Sequence, residues 1–231
     1  GPFARDGDAK PWAQQLADAE RRVETVRKAV GDDIDIGVDA HAKILEPARA
    51  FEMAERIKPF RPFFFEEPVR PENFDALARL ARKCPIPIAT GECLYTKFEF
   101  RDLLATGAAD IIQPDVCVTG GITELKKIAA MAEAQAVSVA PHNPLGPLAT
   151  AANVHVAATL PNFCILEYHA DDVGIRREIL KTPVRLVDGY LEIPAGPGLG
   201  VELSDGILDR YPYQPWRRGR PTKPDGMLAF I

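Results

Sequence analysis

Asp39, Glu66, Glu92, Asp115, His142 and Glu167 follow one another at gaps of 27, 26, 23, 27 and 25 residues. Each closes a short apolar, β-rich run: "IDIGVDA", "FFFEEPV", "PIPIATGE", "ADIIQPD", "SVAPHN" and "FCILEYH". The three carboxylates of Asp39, Glu66 and Glu92, on successive runs, repel one another unless a cation lies between them. Hard oxygen donors with no Cys spacing motif and few His suit Mg²⁺. Each acid could instead cap the helix after it, but that reading explains one residue at a time and leaves the common period unexplained.

The runs alternate with helical patterns. In residues 12–30, Trp12, Leu16, Ala19, Val23, Val26 and Val30 recur at steps of three and four, which is one apolar stripe. "EPARAFEMAERIKPF", "PENFDALARLARK" (started by Pro71 and Asn73), "FEFRDLLATGA" (closed by Gly107), "GITELKKIAAMAEAQA" and "GPLATAANVHVAATL" read as further helices. The "FFF" run reads as a strand buried on both faces, and Phe98 and Phe100 as helix core. Beyond about residue 180 the alternation stops, and "VRLVDGYLEIP" reads as a hairpin turning at Asp188-Gly189. Six strands with helical crossovers predict an α/β fold with a parallel sheet. An ionisable residue at the C-terminal end of every strand favours a βα barrel, whose strand ends meet at one mouth, over an open sheet with a single crevice.

Composition limits the remaining choices. The chain is 46% hydrophobic and 26% charged with net charge −5, an ordinary globular balance that offers no basic face to nucleic acid. The basic cluster "WRRGRPTK" (216–223) reads as a solvated tail. No window approaches the roughly 18 apolar residues of a membrane helix, and the first ten residues have neither signal nor transit character. Cys84, Cys93, Cys117 and Cys164 are widely spread, so a reduced, cytoplasmic setting is expected.

The runs "VDAH", "FFFEEPV", "IATGE", "IIQPDV", "GGITE", "APHNPLGP" and "ILEYH" together resemble the C-terminal barrel of the enolase superfamily. Within it they resemble the mandelate racemase/muconate lactonizing group, and most of all its acid-sugar dehydratases of the galactonate dehydratase type. The resemblance covers residues 1–220. It implies a TIM-like (β/α)7β barrel, here incomplete with six strands, and an N-terminal α+β capping domain that is absent. Residues 1–185 would form the partial barrel, and 186–231 a segment that packs on the capping domain. The chain would then be part of a longer protein.

The resemblance also implies roles. Asp39, Glu66 and Glu92 match the Mg²⁺ ligands, with Glu67 left as a structural acid. His142 matches the base that removes the proton alpha to a carboxylate, giving an enediolate, and Asp115 matches its partner. An Asp that accepts from one imidazole nitrogen fixes the tautomer and raises the pKa. His41, two residues past Asp39 and expected on the same side of the same strand, matches the acid that protonates the leaving C3 hydroxyl. Glu167 matches the residue that hydrogen-bonds the substrate carboxylate. The product would be a 2-keto-3-deoxy sugar acid, the substrate an aldonate such as galactonate, and the full-length form a homo-oligomer. A racemase, epimerase or cycloisomerase on the same scaffold, or a catalytically silent fragment, are the alternatives. Cys93, expected to be buried, stands where the galactonate-type enzymes carry Arg. Gly120-Gly121 opens a helix and is read as structural rather than anion-binding.

Overall fold

The structure is a computed structural model that describes residues 10–171 and 173–215. The "WRRGRPTK" cluster lies outside the described residues, as does the end of the proposed C-terminal segment. The elements run α1 (Trp12–Val30), β1 (Gly37–Asp39), α2 (Pro47–Ile57), β2 (Phe64–Glu66), α3 (Phe74–Ala81), β3 (Ile88–Thr90), α4 (Thr96–Ala105), β4 (Ile111–Ile112), α5 (Ile122–Glu133), β5 (Ser138–Val139), α6 (Pro147–Ala157), α7 (Gly174–Ile179), β6 (Leu186–Val187), β7 (Tyr190–Leu191) and α8 (Ile207–Arg210). Strands β1 to β5 are hydrogen-bonded in chain order, and the β1–β2 and β2–β3 pairs are parallel. Among the described residues the expected sixth strand, "FCILEYH", is reduced to one parallel bridge between Val139 and Phe163.

The chain divides into two compact units, with α4 and β4 each cut by the division. The first contains α1 to β3 and residues 102–111. Its core follows helical periodicity: α2 buries Ala50, Met53, Ala54 and Ile57 on one face. On α1 the stripe holds only in its first half. Leu16, Ala19 and Val23 are buried, but Val26 and Val30 are exposed. Arg27 closes that end, donating to the carbonyls of Gly31, Ile34, Phe60 and Arg61. Asn73 accepts from the Ala76 N–H at 2.9 Å and starts α3, as its position before an apolar helix predicts. The aromatic run on β2 is not uniformly buried: Phe65 is fully enclosed, while Phe63 and Phe64 are half-buried and tilt against each other at 5.4 Å.

The second unit contains residues 92–101 and 112–215. Helix α5 buries Leu125, Ile128, Ala129 and Ala132. Leu125 packs with Val116, Ala149, Ala152 and Val156, so α6 lies against α5 through small residues. Helix α6 is buried around most of its circumference, the mark of an interior helix. Phe100 is buried but Phe98 is exposed, lying 4.3 Å from the Lys97 ammonium. Gly121 caps α5 at φ 95°, a backbone conformation that favours glycine. The β6–β7 hairpin turns where expected, with Asp188 and Gly189 both at positive φ, as a tight primed turn requires. Helices α7 and α8 have no counterpart in the sequence reading.

Phe65→Ala should lower stability by about 3–5 kcal/mol, the usual cost of emptying a buried aromatic site. Asn73→Ala should cost about 1 kcal/mol through the lost cap. Urea unfolding with an unchanged m-value checks both.

Candidate active site

Asp39, His41 and Glu66 belong to the first unit. Asp39 and Glu66 are register partners at the ends of β1 and β2, so parallel pairing sets the two carboxylates side by side where the strands stop. The Ala40 N–H to Glu66 carbonyl bond carries the pairing one residue further. His41 is not on the strand. It stands in a turn at φ 52°, its N–H donates to Asp39 Oδ1 at 2.5 Å, and its Nδ1 lies 3.6 Å from Asp39 Oδ2. The strand alternation argument therefore fails for His41. What brings it to Asp39 is a local turn closed by the aspartate itself. The Ala42 N–H donates to the Glu67 carbonyl and holds this turn against β2. Glu67 is buried, and its Oε1 accepts from Thr90 Oγ1 at 2.6 Å and from the Gly91 N–H at 2.9 Å. A structural role for this second acid fits those contacts.

Glu92, Asp115, His142 and Glu167 belong to the second unit. His142 Nδ1 lies 2.8 Å from Asp115 Oδ2, and its Nε2 lies 3.5 Å from Glu92 Oε2. Asp115 Oδ1 accepts from the Cys117 N–H at 2.7 Å, so both oxygens of this buried carboxylate are satisfied. In the neutral ring Nδ1–H donates to Asp115, which leaves the basic lone pair on Nε2. Burial of the ring works against its charge. The Asp115 hydrogen bond and the nearby Glu92 and Glu167 carboxylates outweigh that effect and hold the His142 pKa above the ordinary value. Glu167 Oε2 accepts from the Asn143 N–H at 2.7 Å, and Oε1 lies 2.7 Å from His169 Nε2. Sequence reading missed both partners. His169, two residues after Glu167, was the one visible signal. Cys93 is exposed rather than buried, since it sits in the turn after β3 and outside the packed core.

The donor chemistry suits a hard divalent cation. Asp39 and Glu66 offer carboxylate oxygens at paired strand ends in the first unit. Among the described residues, no three His, Cys, Asp or Glu side chains are already gathered as a metal-holding group. In metal-free protein, Asp115→Asn should lower the His142 titration midpoint, because burial then opposes the imidazolium with less compensation. Ring-proton NMR reads this directly, and an unchanged midpoint would refute Asp115 as the group that sets it.

The enolase C-terminal domain-like family model matches residues 7–207. The chain is 39% identical over 219 residues to the D-galactonate dehydratase of Xanthomonas euvesicatoria pv. vesicatoria (strain 85-10), covering 90% of this chain and 56% of that protein. An enolase from Agrobacterium radiobacter, solved with Na and L-malate bound and an ordered active site, matches with TM-score 0.92 and 41% identity over 100% of this chain and 62% of that one. A mandelate racemase/muconate lactonizing enzyme from Jannaschia sp. CCS1 matches with TM-score 0.85 and 34% identity over 94% of this chain and 55% of its own. The chain therefore spans a little over half the length of these relatives. Carboxylates closing parallel strands, an Asp-supported histidine and a match over most of the sequence agree, and the chain belongs to the enolase C-terminal domain-like family, within its mandelate racemase/muconate lactonizing group.

Proposed function

We propose that the protein is a Mg²⁺-dependent acid-sugar dehydratase that converts an aldonate such as galactonate into a 2-keto-3-deoxy acid. The observation that carries this reading is the 2.8 Å contact between His142 Nδ1 and Asp115, which presents Nε2 as a base. Kinship with a D-galactonate dehydratase supports the hydro-lyase assignment. The L-malate in the Agrobacterium radiobacter neighbour supports the substrate class, since malate carries the same hydroxyl alpha to a carboxylate as an aldonate.

In this reading His142 Nε2 removes the C2 proton, and Asp115 holds the ring and stabilises the imidazolium that forms. Glu167 takes part in binding the substrate carboxylate. His41 protonates the C3 hydroxyl as it departs as water, and the resulting enol ketonises. Asp39, Glu66 and Glu92 would hold Mg²⁺, which when bound supplies positive charge opposite the carboxylate as negative charge builds there. Residues 1–185 would form a partial βα barrel. The chain from 186 onward packs on a capping domain in a longer, homo-oligomeric, cytoplasmic parent. Among the described residues no helix is long and apolar enough to cross a membrane.

The full-length protein, incubated with Mg²⁺ and a panel of aldonic and aldaric acids, should yield semicarbazide-reactive 2-keto-3-deoxy product. His142→Ala and His41→Asn should each lower turnover by about 10²- to 10⁴-fold, the usual contribution of a positioned acid or base. Chelation should abolish turnover and Mg²⁺ should restore it. Exchange of the C2 proton in deuterated solvent without dehydration would instead identify a racemase or epimerase. Neither product nor exchange would sink both readings.

A further inference from the structure

The chain immediately after His142 is tied into a closed ring of polar side chains that the proposed chemistry does not use. Asn143, Thr150, Asn153 and Asp171 are all buried, at 1% exposure or less. Asn143 Nδ2 donates to Thr150 Oγ1 at 3.0 Å, and Thr150 Oγ1 donates to Asp171 Oδ2 at 2.5 Å. Arg176 Nε donates to Asp171 Oδ1 at 2.6 Å, and Arg176 Nη1 donates to the Pro144 carbonyl at 3.0 Å. Pro144 follows Asn143, so the ring closes on the backbone. Asn143 Nδ2 also donates to the Glu167 carbonyl at 3.0 Å, and its Oδ1 accepts from Asn153 Nδ2 at 3.0 Å.

Removing this many polar groups and an ion pair from water offers little net stability over an apolar core. What the ring does achieve is geometric. Its members come from the 143–144 segment, from α6, from Asp171 and from α7, and it closes on the two residues that follow His142. Two of the bonds Asn143 makes end on Glu167: its backbone N–H on the carboxylate and its side chain on the carbonyl. A shift of Asn143 would therefore move the acid that faces the substrate and the base that precedes it in the chain.

We propose that Asn143, Thr150, Asp171 and Arg176 are positioning residues, which hold the Asn143 N–H on the Glu167 carboxylate and so set where Glu167 and His142 stand in the reaction. The kinetic part of this inference rests on the dehydratase reading. The structural part does not.

The test uses Thr150→Val, Thr150→Ser and Arg176→Lys in the full-length protein, with amide hydrogen exchange and steady-state kinetics as readouts. Thr150→Val removes the hydroxyl that links Asn143 to Asp171. It should speed exchange of the Asn143 amide at least about tenfold more than that of the Phe65 amide, since local opening is distinct from global unfolding. It should lower kcat by about 10- to 100-fold with KM little changed, as expected for a misplaced reacting group. Thr150→Ser, which keeps the hydroxyl, should restore both. Arg176→Lys keeps the charge but loses the fork that spans Asp171 and Pro144, and should move both readouts in the same direction. It decides the matter if Thr150→Val does not fold. Exchange at Asn143 that changes no more than at Phe65, with kcat unchanged, would reduce the ring to a stability element and overturn the proposal. If the wild type turns over no sugar acid, the dehydratase reading fails on its own and the exchange comparison still decides the positioning role.

Discussion

The hydrogen bond between His142 and Asp115 is the constraint around which the second unit is arranged. A carboxylate with 2% of its side chain exposed is costly unless each oxygen has a partner. One oxygen receives the imidazole and the other the Cys117 N–H, while the Asp115 carbonyl accepts from Val118 and Thr119. Those bonds require the chain to turn tightly straight after β4. The turn ends at Gly121, whose positive φ lets α5 begin there and bury its apolar face against α6. The packing of the unit and the orientation of the base thus share one local cause.

Two other buried acids are likewise tied down by hydrogen bonds. Glu67 in the first unit is enclosed and bound to Thr90 and Gly91, directly before Glu92 in the chain. Asp171 in the second unit is enclosed and bound to Thr150 and Arg176. In both cases a buried acid within four positions of a candidate site residue is held by partners more than 20 positions away or on another element. Such groups add little net stability, but they admit few alternative arrangements, which is what a site with exacting geometry needs.

Much of the fold was legible because its signals are local. Five strands, the helices between them, the Asn73 cap and the Asp188-Gly189 turn all follow from hydrophobic period and turn chemistry read over a few residues. The failures have local causes too. "FCILEYH" has strand composition but makes only one bridge, because a strand exists through its neighbour and not through its own residues. His41 left the strand because Asp39 captured its backbone N–H. Phe98 faces solvent under a lysine, and Cys93 lies in a turn, since an apolar side chain is buried only where another element covers it. Short α7 and α8 carry too few turns to show a period.

The sequence by itself determined the order of elements from α1 to α6, the placing of an ionisable residue at the end of each predicted strand and the family to which that pattern belongs. These depend on residue type and spacing along the chain. Only the tertiary structure decided which nitrogen of His142 is bound, which oxygens of Glu167 are engaged, and that Asn143, Thr150, Asp171 and Arg176 form one ring. Their bonds join residues brought together by packing, and both the strength of a hydrogen bond and the cost of leaving one unmade depend on burial. No local stretch of sequence encodes that burial.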